Sequence, residues 1–155
     1  MWKNKPFLIG IGIVILLIIL FLLPRFTNLN RELIAAWKAG GVGCLPSHQN
    51  AALHIHTSLE ITVDGREEVP PAAGTGIVRG CMAEVHTHEA DGVIHIESVN
   101  PGTTFTLGQF FAIWGKTIER PGYSATASVD GNLVSNPDDI ILKNDQLISI
   151  AYAKQ

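Results

Sequence analysis

The first pattern along the chain is an uninterrupted apolar run from Phe7 to Leu23, preceded by Lys3 and Lys5. At ~1.5 Å per helical residue, such a run just reaches across a thin hydrocarbon core. It is longer than the ~7–15-residue core of a signal peptide, and no small-residue cleavage site follows it. We predict an uncleaved transmembrane signal anchor over residues 1–24. The alternative is a signal peptide that is removed.

The charges around this run predict its orientation. Lys3, Lys5 and the N-terminal amine precede the run, and they favour an N-terminus that stays in the cytoplasm. The prediction is therefore a single-pass protein of the cell membrane, whose C-terminal domain is extracytoplasmic and whose membrane contact is one helix.

A shorter helical pattern follows. Asn30 can cap a helix, Leu33 and Trp37 lie four residues apart on one apolar face, and Gly40 can end it. We see no chemistry in these residues. They predict a juxtamembrane helix and linker over residues 25–43.

From residue 44 onward, apolar and polar residues alternate with a period of two, which indicates half-buried strands. Asp-Gly pairs begin at Asp64, Asp91 and Asp130, and this pair favours a two-residue hairpin turn of type I′. The alternation and the turns together predict a series of antiparallel hairpins.

One stretch departs from the alternation. Leu107–Trp114 has apolar residues at helical spacing, with Thr106 as a cap before it and Gly115 as a stop after it. We therefore predict a β-rich α+β domain over residues 44–155, built from hairpins and one short helix, with a tail that resembles a β-grasp fold.

Charge narrows the choice of partner. The chain has 11 Lys and Arg against 14 Asp and Glu, a formal net charge of −3. It has no basic patch and no basic residues interleaved with aromatic ones, so nucleic acid is not expected as a partner.

The two cysteines are Cys44 and Cys81. In an extracytoplasmic compartment they predict a disulfide, which on the chain-entropy argument contributes roughly 3–4 kcal/mol of stability. The alternative is that one or both thiolates serve as soft metal ligands, which would favour copper.

All six histidines lie between positions 48 and 95. Four of them form two His-x-His pairs within alternating strands, at 54 and 56 and at 86 and 88. His48 lies in a loop, and we interpret it as solvated and outside any site.

The turn at Asp91 predicts which strand residues face each other. With a two-residue turn, His88 faces His95 and His86 faces Glu97, so these four side chains share one face of the hairpin. The alternative is that the histidine strands belong to unrelated surfaces.

Imidazole groups suit copper or zinc, whereas Ca²⁺ and Mg²⁺ require more oxygen ligands. The predicted primary ligands are His86, His88 and His95. His54 and His56 are further ligands if their strand lies alongside. Glu97 is either a fourth ligand or an acceptor that fixes an imidazole tautomer.

Several motifs together resemble a family of membrane-anchored or exported bacterial and archaeal proteins. The resemblance covers roughly residues 44–152. It rests on His-x-His with Val-Asp-Gly over 54–65, His-Thr-His-x-x-x-Gly-x-Ile-His-Ile-Glu over 86–97, and Phe-Thr-Leu-Gly-x-Phe-Phe-x-x-Trp-Gly over 105–115. It implies that this part of the chain is one unit, and it implies no particular activity.

These observations predict a membrane-anchored, extracytoplasmic copper- or zinc-binding protein that captures or delivers metal at the membrane surface, where a protein partner is also expected. One alternative is a hydrolase-like metalloenzyme, with Glu97 or Glu84 as general base. The other is a structural or assembly module of a membrane complex, in which the histidines bind no metal.

Overall fold

A computed structural model describes residues 5–45, 48, 51–68 and 71–155. Its α-helices are α1 (Lys5–Ala39) and α2 (Leu107–Trp114), and a short 3-10 helix spans Pro137–Asp139. Its strands are β1 (Cys44–Leu45), β2 (Leu53–Val63), β3 (Arg66–Glu67), β4 (Ile77–Val78), β5 (Cys81–Ala83), β6 (Val85–His86), β7 (Val93–Ser98), β8 (Tyr123–Val129), β9 (Asn132–Val134) and β10 (Gln146–Lys154). Lys3, which entered the orientation prediction, lies outside the described residues.

The helix α1 runs continuously through two segments that the sequence analysis predicted as separate helices. The chain divides into two compact units, and their boundary falls inside α1, between Ala35 and Ala36. A membrane span requires a long and strongly apolar helix, and the described part of the chain contains none. The structure therefore does not bear out the predicted transmembrane helix over Phe7–Leu23.

The second unit is built on a mixed sheet. The strand order is β6-β7-β2-β10-β8-β9, and β3 pairs with one end of β2. The β-rich α+β class is confirmed, but an arrangement of antiparallel hairpins alone is wrong. The central strands β2 and β10 are parallel, with Leu59 opposite Ile148 and Ile61 opposite Ile150. Parallel neighbours require a long connection, and here that connection contains most of the domain.

Alternation along the strands places the core on one face of this sheet. The fully buried side chains of β7 and β10 include Ile94, Ile96, Ile148 and Ile150. Within each strand, the residues that alternate with these isoleucines point to the other face of the sheet. The histidines of β2 and β7 lie on that face.

The short helix α2 forms where it was predicted. Thr106 accepts a hydrogen bond from the Gln109 amide at 3.3 Å, and the Gln109 side chain accepts one from the Thr106 amide at 2.9 Å. Gly115 ends the helix in the left-handed conformation, with φ 74°. These reciprocal bonds satisfy amide groups that the first helical turn leaves unpaired.

A second, three-stranded sheet has the order β1-β5-β4. Cys44 in β1 and Cys81 in β5 form a disulfide, with their Cα atoms 5.1 Å apart. The predicted disulfide is confirmed. Because the two sulfur atoms are bonded to each other, neither is a thiolate ligand.

The register predicted for the central hairpin is wrong by two residues. His86 pairs with His95 and Val85 pairs with Ile96. The Asp64 and Asp130 turns have positive φ at both residues, but at the central turn only Gly92 does. The reason is local, since the Asp91 side chain accepts a hydrogen bond from the Val93 amide at 2.9 Å and forms a different turn.

Candidate metal centre

Three adjacent strands place their histidines on one face of the sheet. His95 in the middle strand β7 lies opposite His86 of β6 on one side and opposite His56 of β2 on the other. In the next row, His54 of β2 lies opposite Glu97 of β7. Residues opposite each other in antiparallel strands project to the same side. The three strands therefore form one surface. The predicted register was wrong by two residues, but side chains alternate with a period of two, so the histidines still lie on the predicted face.

The imidazole rings form one continuous cluster. The distances between ring centroids are 4.8 Å for His54–His56, 4.5 Å for His56–His95, 4.5 Å for His88–His95, 4.7 Å for His86–His88 and 5.0 Å for His48–His88. All six histidines of the chain are in this cluster.

Two groups within the cluster could each hold a metal ion. The inner group consists of His48, His86, His88 and Glu97, and the outer group consists of His54, His56 and His95. In each group, the nitrogen or oxygen atoms that could bind an ion lie within 4.8 Å of one another. His86 and Glu97 in the inner group are fully buried, whereas no member of the outer group is. One ring in each group, His48 in the inner and His54 in the outer, is 50% exposed.

Glu97 touches both groups. Its two carboxylate oxygens each lie 2.8 Å from His48 Nδ1, and Oε1 lies 3.3 Å from His54 Nε2. A fully buried carboxylate is costly unless it is paired. The two histidines supply that pairing, and a bound cation would supply more.

A backbone contact orients the ring of His86. Its Nδ1 lies 2.8 Å from the carbonyl oxygen of Ala83, which can only accept, so Nδ1 carries the proton and donates. In the neutral ring, Nε2 is then an acceptor, and His88 Nε2 donates to it at 3.1 Å. This is the tautomer that a metal ligand requires, fixed by a backbone group behind it.

His86 and His95 are neutral at physiological pH. Burial lowers the pKa of His86 to about 4, although its hydrogen bond to Ala83 opposes this. Burial, and then the neighbouring His88 and His56, lower the pKa of His95 to about 4. Neutral imidazole is the form that binds metal, so both rings are ready to act as ligands.

Two further observations concern His95 and His56. Nδ1 of His95 is buried without a hydrogen-bond partner among the described residues, and an unpaired buried nitrogen is costly. The backbone of His56 is held at both ends by the turn before β10. Its amide donates to Asn144 Oδ1 at 3.1 Å, and its carbonyl accepts from the Asp145 amide at 2.8 Å.

The structure brings together every predicted metal-site residue, which are His54, His56, His86, His88, His95 and Glu97. Their role as ligands stays a prediction. Glu84, the other carboxylate considered as a general base, belongs to neither group, and it accepts hydrogen bonds from the Gly43 amide at 2.8 Å and the Ser98 hydroxyl at 2.6 Å.

Excluding His48 from the cluster was wrong. A loop residue has no periodicity that predicts where its side chain points. The predicted disulfide could have indicated that His48 lies near the other histidines. His48 follows Cys44 by four residues, and Cys81 precedes His86 by five. A bond between those cysteines brings the two histidine-bearing segments together.

The fold and the site define a strand-rich α+β protein with histidine and glutamate groups that could hold a metal ion. Comparison with protein-family models, with curated proteins and with solved structures finds no match for this chain. The resemblance to a family of membrane-anchored or exported proteins stays a prediction.

Proposed function

We propose that this is an extracytoplasmic transition-metal-binding protein that captures or delivers copper or zinc. The observation that carries the proposal is the inner group. Three histidines and a buried carboxylate converge there with their potential ligand atoms within 4.8 Å of one another. Four nitrogen and oxygen donors at this separation can close on a tetrahedral ion by small side-chain movements.

The donor set supports copper or zinc. Six imidazoles and one carboxylate provide mainly nitrogen ligands, which suit zinc, copper and other late first-row ions. Ca²⁺ needs 6–8 oxygen ligands, and Mg²⁺ prefers an octahedral oxygen shell. Glu97 is the one carboxylate in the two groups, so neither of those ions is a match.

The disulfide bears on the compartment in which the protein works. Disulfides persist in oxidising compartments and are rare in the cytosol. The bond between Cys44 and Cys81 supports an extracytoplasmic location. It also supports the nitrogen and oxygen ligand set, because it removes the chain's two cysteines from metal binding.

A metalloenzyme is the second candidate. The outer group offers three histidines, and three protein ligands with a fourth open position are the usual arrangement of a catalytic zinc ion. Capture or delivery ranks higher because neither nearby carboxylate is free to act as a general base, since Glu97 is a ligand of the inner group in this proposal. Glu97 is paired with His48 and His54, and Glu84 faces Gly43 and Ser98.

The test is elemental analysis by mass spectrometry on the full chain without a His tag, after loading with copper or zinc and dialysis against a weak chelator. The variant is His48→Ala/His88→Ala, because neither ring belongs to the hydrophobic core. Glu89→Gln is the matched control, an exposed carboxylate next to His88 in sequence. We expect metal in the wild type and the control. The variant should lose more affinity than the ~10–100-fold that loss of an outer-shell partner costs.

Wild-type protein that retains no copper or zinc after reconstitution would refute the proposal and leave the structural-module alternative. Metal retention together with turnover of ester or phosphate substrates would favour the enzyme.

A further inference from the structure

We propose that the histidine face binds two metal ions at once, one in the inner group and one in the outer group. The outer ion is the weaker and exchangeable one, through which metal enters and leaves. This inference rests on the proposed function, which requires only one bound ion.

The two groups contain more potential ligand atoms than one metal ion can use. One tetrahedral zinc or copper ion uses four ligands, and the inner group already provides four. A single ion would leave three histidines unused, although these three also converge with their nitrogens within 4.8 Å of one another. Converging, partly exposed imidazoles have no evident role in packing, whereas they match a three-ligand metal site.

The two groups differ in a way that suits holding and exchange. The inner group contains two fully buried members, His86 and Glu97, and the latter supplies a negative charge. The outer group contains imidazole rings alone, and none of them is fully buried. Each group also has one ring that is 50% exposed, His48 in the inner group and His54 in the outer group. With three protein ligands, an ion in the outer group keeps an open position, where a donor from solvent or from a small chelator can bind.

The groups are adjacent, so an ion can pass between them by exchanging ligands. The His95 ring of the outer group lies 4.5 Å from the His88 ring of the inner group, centroid to centroid. Glu97 lies 2.8 Å from His48 and 3.3 Å from His54, so the carboxylate reaches both groups.

Adjacency also sets the order of binding. Two cations a few ångströms apart repel each other, and one carboxylate offsets only part of their charge. The first ion should occupy the group with the carboxylate and four donors. The second should bind more weakly, which is a requirement of an exchange position.

The experiment is a titration of the metal-free full chain with Zn²⁺ against a chromophoric chelator, followed by copper(II) electron paramagnetic resonance. Three proteins are compared. They are the wild type, an outer variant (His54→Ala/His56→Ala) and an inner variant (His48→Ala/His88→Ala). Circular dichroism and titration of free thiols check that each variant is folded with its disulfide formed. If an alanine variant fails this check, the corresponding glutamine double variant replaces it.

We expect two binding steps in the wild type and only the tight step in the outer variant. The inner variant should show one step, at the outer group, that is weaker than the tight step and no weaker than the second step of the wild type, because the repelling inner ion is absent. Two copper(II) ions on neighbouring imidazoles should couple magnetically and lose signal intensity in the wild type. Each variant should show the full, uncoupled signal of one ion.

Three results would overturn the two-ion proposal. A single binding step in the wild type that is lost in each of the two variants would mean that both groups share one ion. The proposed function would survive this result. Loss of the tight step in the outer variant would reverse the assignment of the groups. No binding step in the wild type would refute the proposed function as well.

Discussion

Acid should destabilise the metal-free protein through His86. This side chain is fully buried, and burial lowers its pKa from the ordinary 6.5 to about 4. Between these two values the unfolded chain binds a proton that the folded chain excludes. The free energy of unfolding therefore falls as the pH falls from about 6.5 to about 4, and this contribution levels off below that range.

The magnitude follows from the same two values. At ~1.4 kcal/mol per tenfold change in proton affinity, the difference between 6.5 and about 4 corresponds to roughly 3 kcal/mol. This ring has no exposed surface, so solvent screening does not reduce the figure. A small domain has a total stability of about 5–15 kcal/mol, so a loss of this size is large enough to measure.

The assay is urea denaturation at pH 7, 5.5 and 4, with a chelator present throughout, on the wild type and on His86→Gln. Glutamine does not titrate in this range, so the variant lacks the contribution of His86 and retains those of all other groups. The wild type should lose roughly 3 kcal/mol more than the variant between pH 7 and pH 4. Equal losses in the two proteins would refute the reasoning, because they would mean that His86 accepts a proton without unfolding.

Three further substitutions test other parts of the structure. Cys44→Ser/Cys81→Ser should lower the free energy of unfolding by roughly 3–4 kcal/mol in urea denaturation, and an unchanged midpoint would contradict this. Thr106→Ala removes the cap of α2 and should cost about 1 kcal/mol by the same measurement, with Thr106→Ser restoring most of it. Gly76 has φ 82°, and an added Cβ would lie 2.9 Å from the Val85 carbonyl and 3.1 Å from His86 Cβ. Gly76→Ala should therefore lower the free energy of unfolding by roughly 2 kcal/mol or more and weaken metal binding. An unchanged metal affinity would mean that this turn does not position the metal site.

Local signals predicted the elements that local chemistry determines. The helix α2 formed between Thr106 and Gly115 because its capping groups and apolar spacing all lie within ten consecutive residues. The histidine face was also predictable. A strand alternates its side chains with a period of two, and the error in register at Asp91 was itself two residues.

Long-range pairing determined what the sequence could not predict. The parallel neighbours β2 and β10 are separated by most of the domain, and no local pattern specifies that they meet. The turn before β10 nevertheless holds the backbone of His56 through Asn144 and Asp145. His48 was missed for a related reason, since its place in the cluster depends on a segment held by a disulfide to a distant strand.

The burial that weakens the metal-free protein in acid also prepares it for metal. An ion competes with protons for the lone pair of an imidazole, and a protonated ring must lose its proton before it can bind. His86 and His95 have pKa values of about 4, so at neutral pH neither carries that extra proton. The carbonyl of Ala83 already holds the His86 proton on Nδ1, which leaves Nε2 for the ion. A ligand that binds only the folded state stabilises it in proportion to the logarithm of its concentration. Metal binding should therefore recover the stability that burying these rings costs, which makes the folded site and the bound ion mutually dependent.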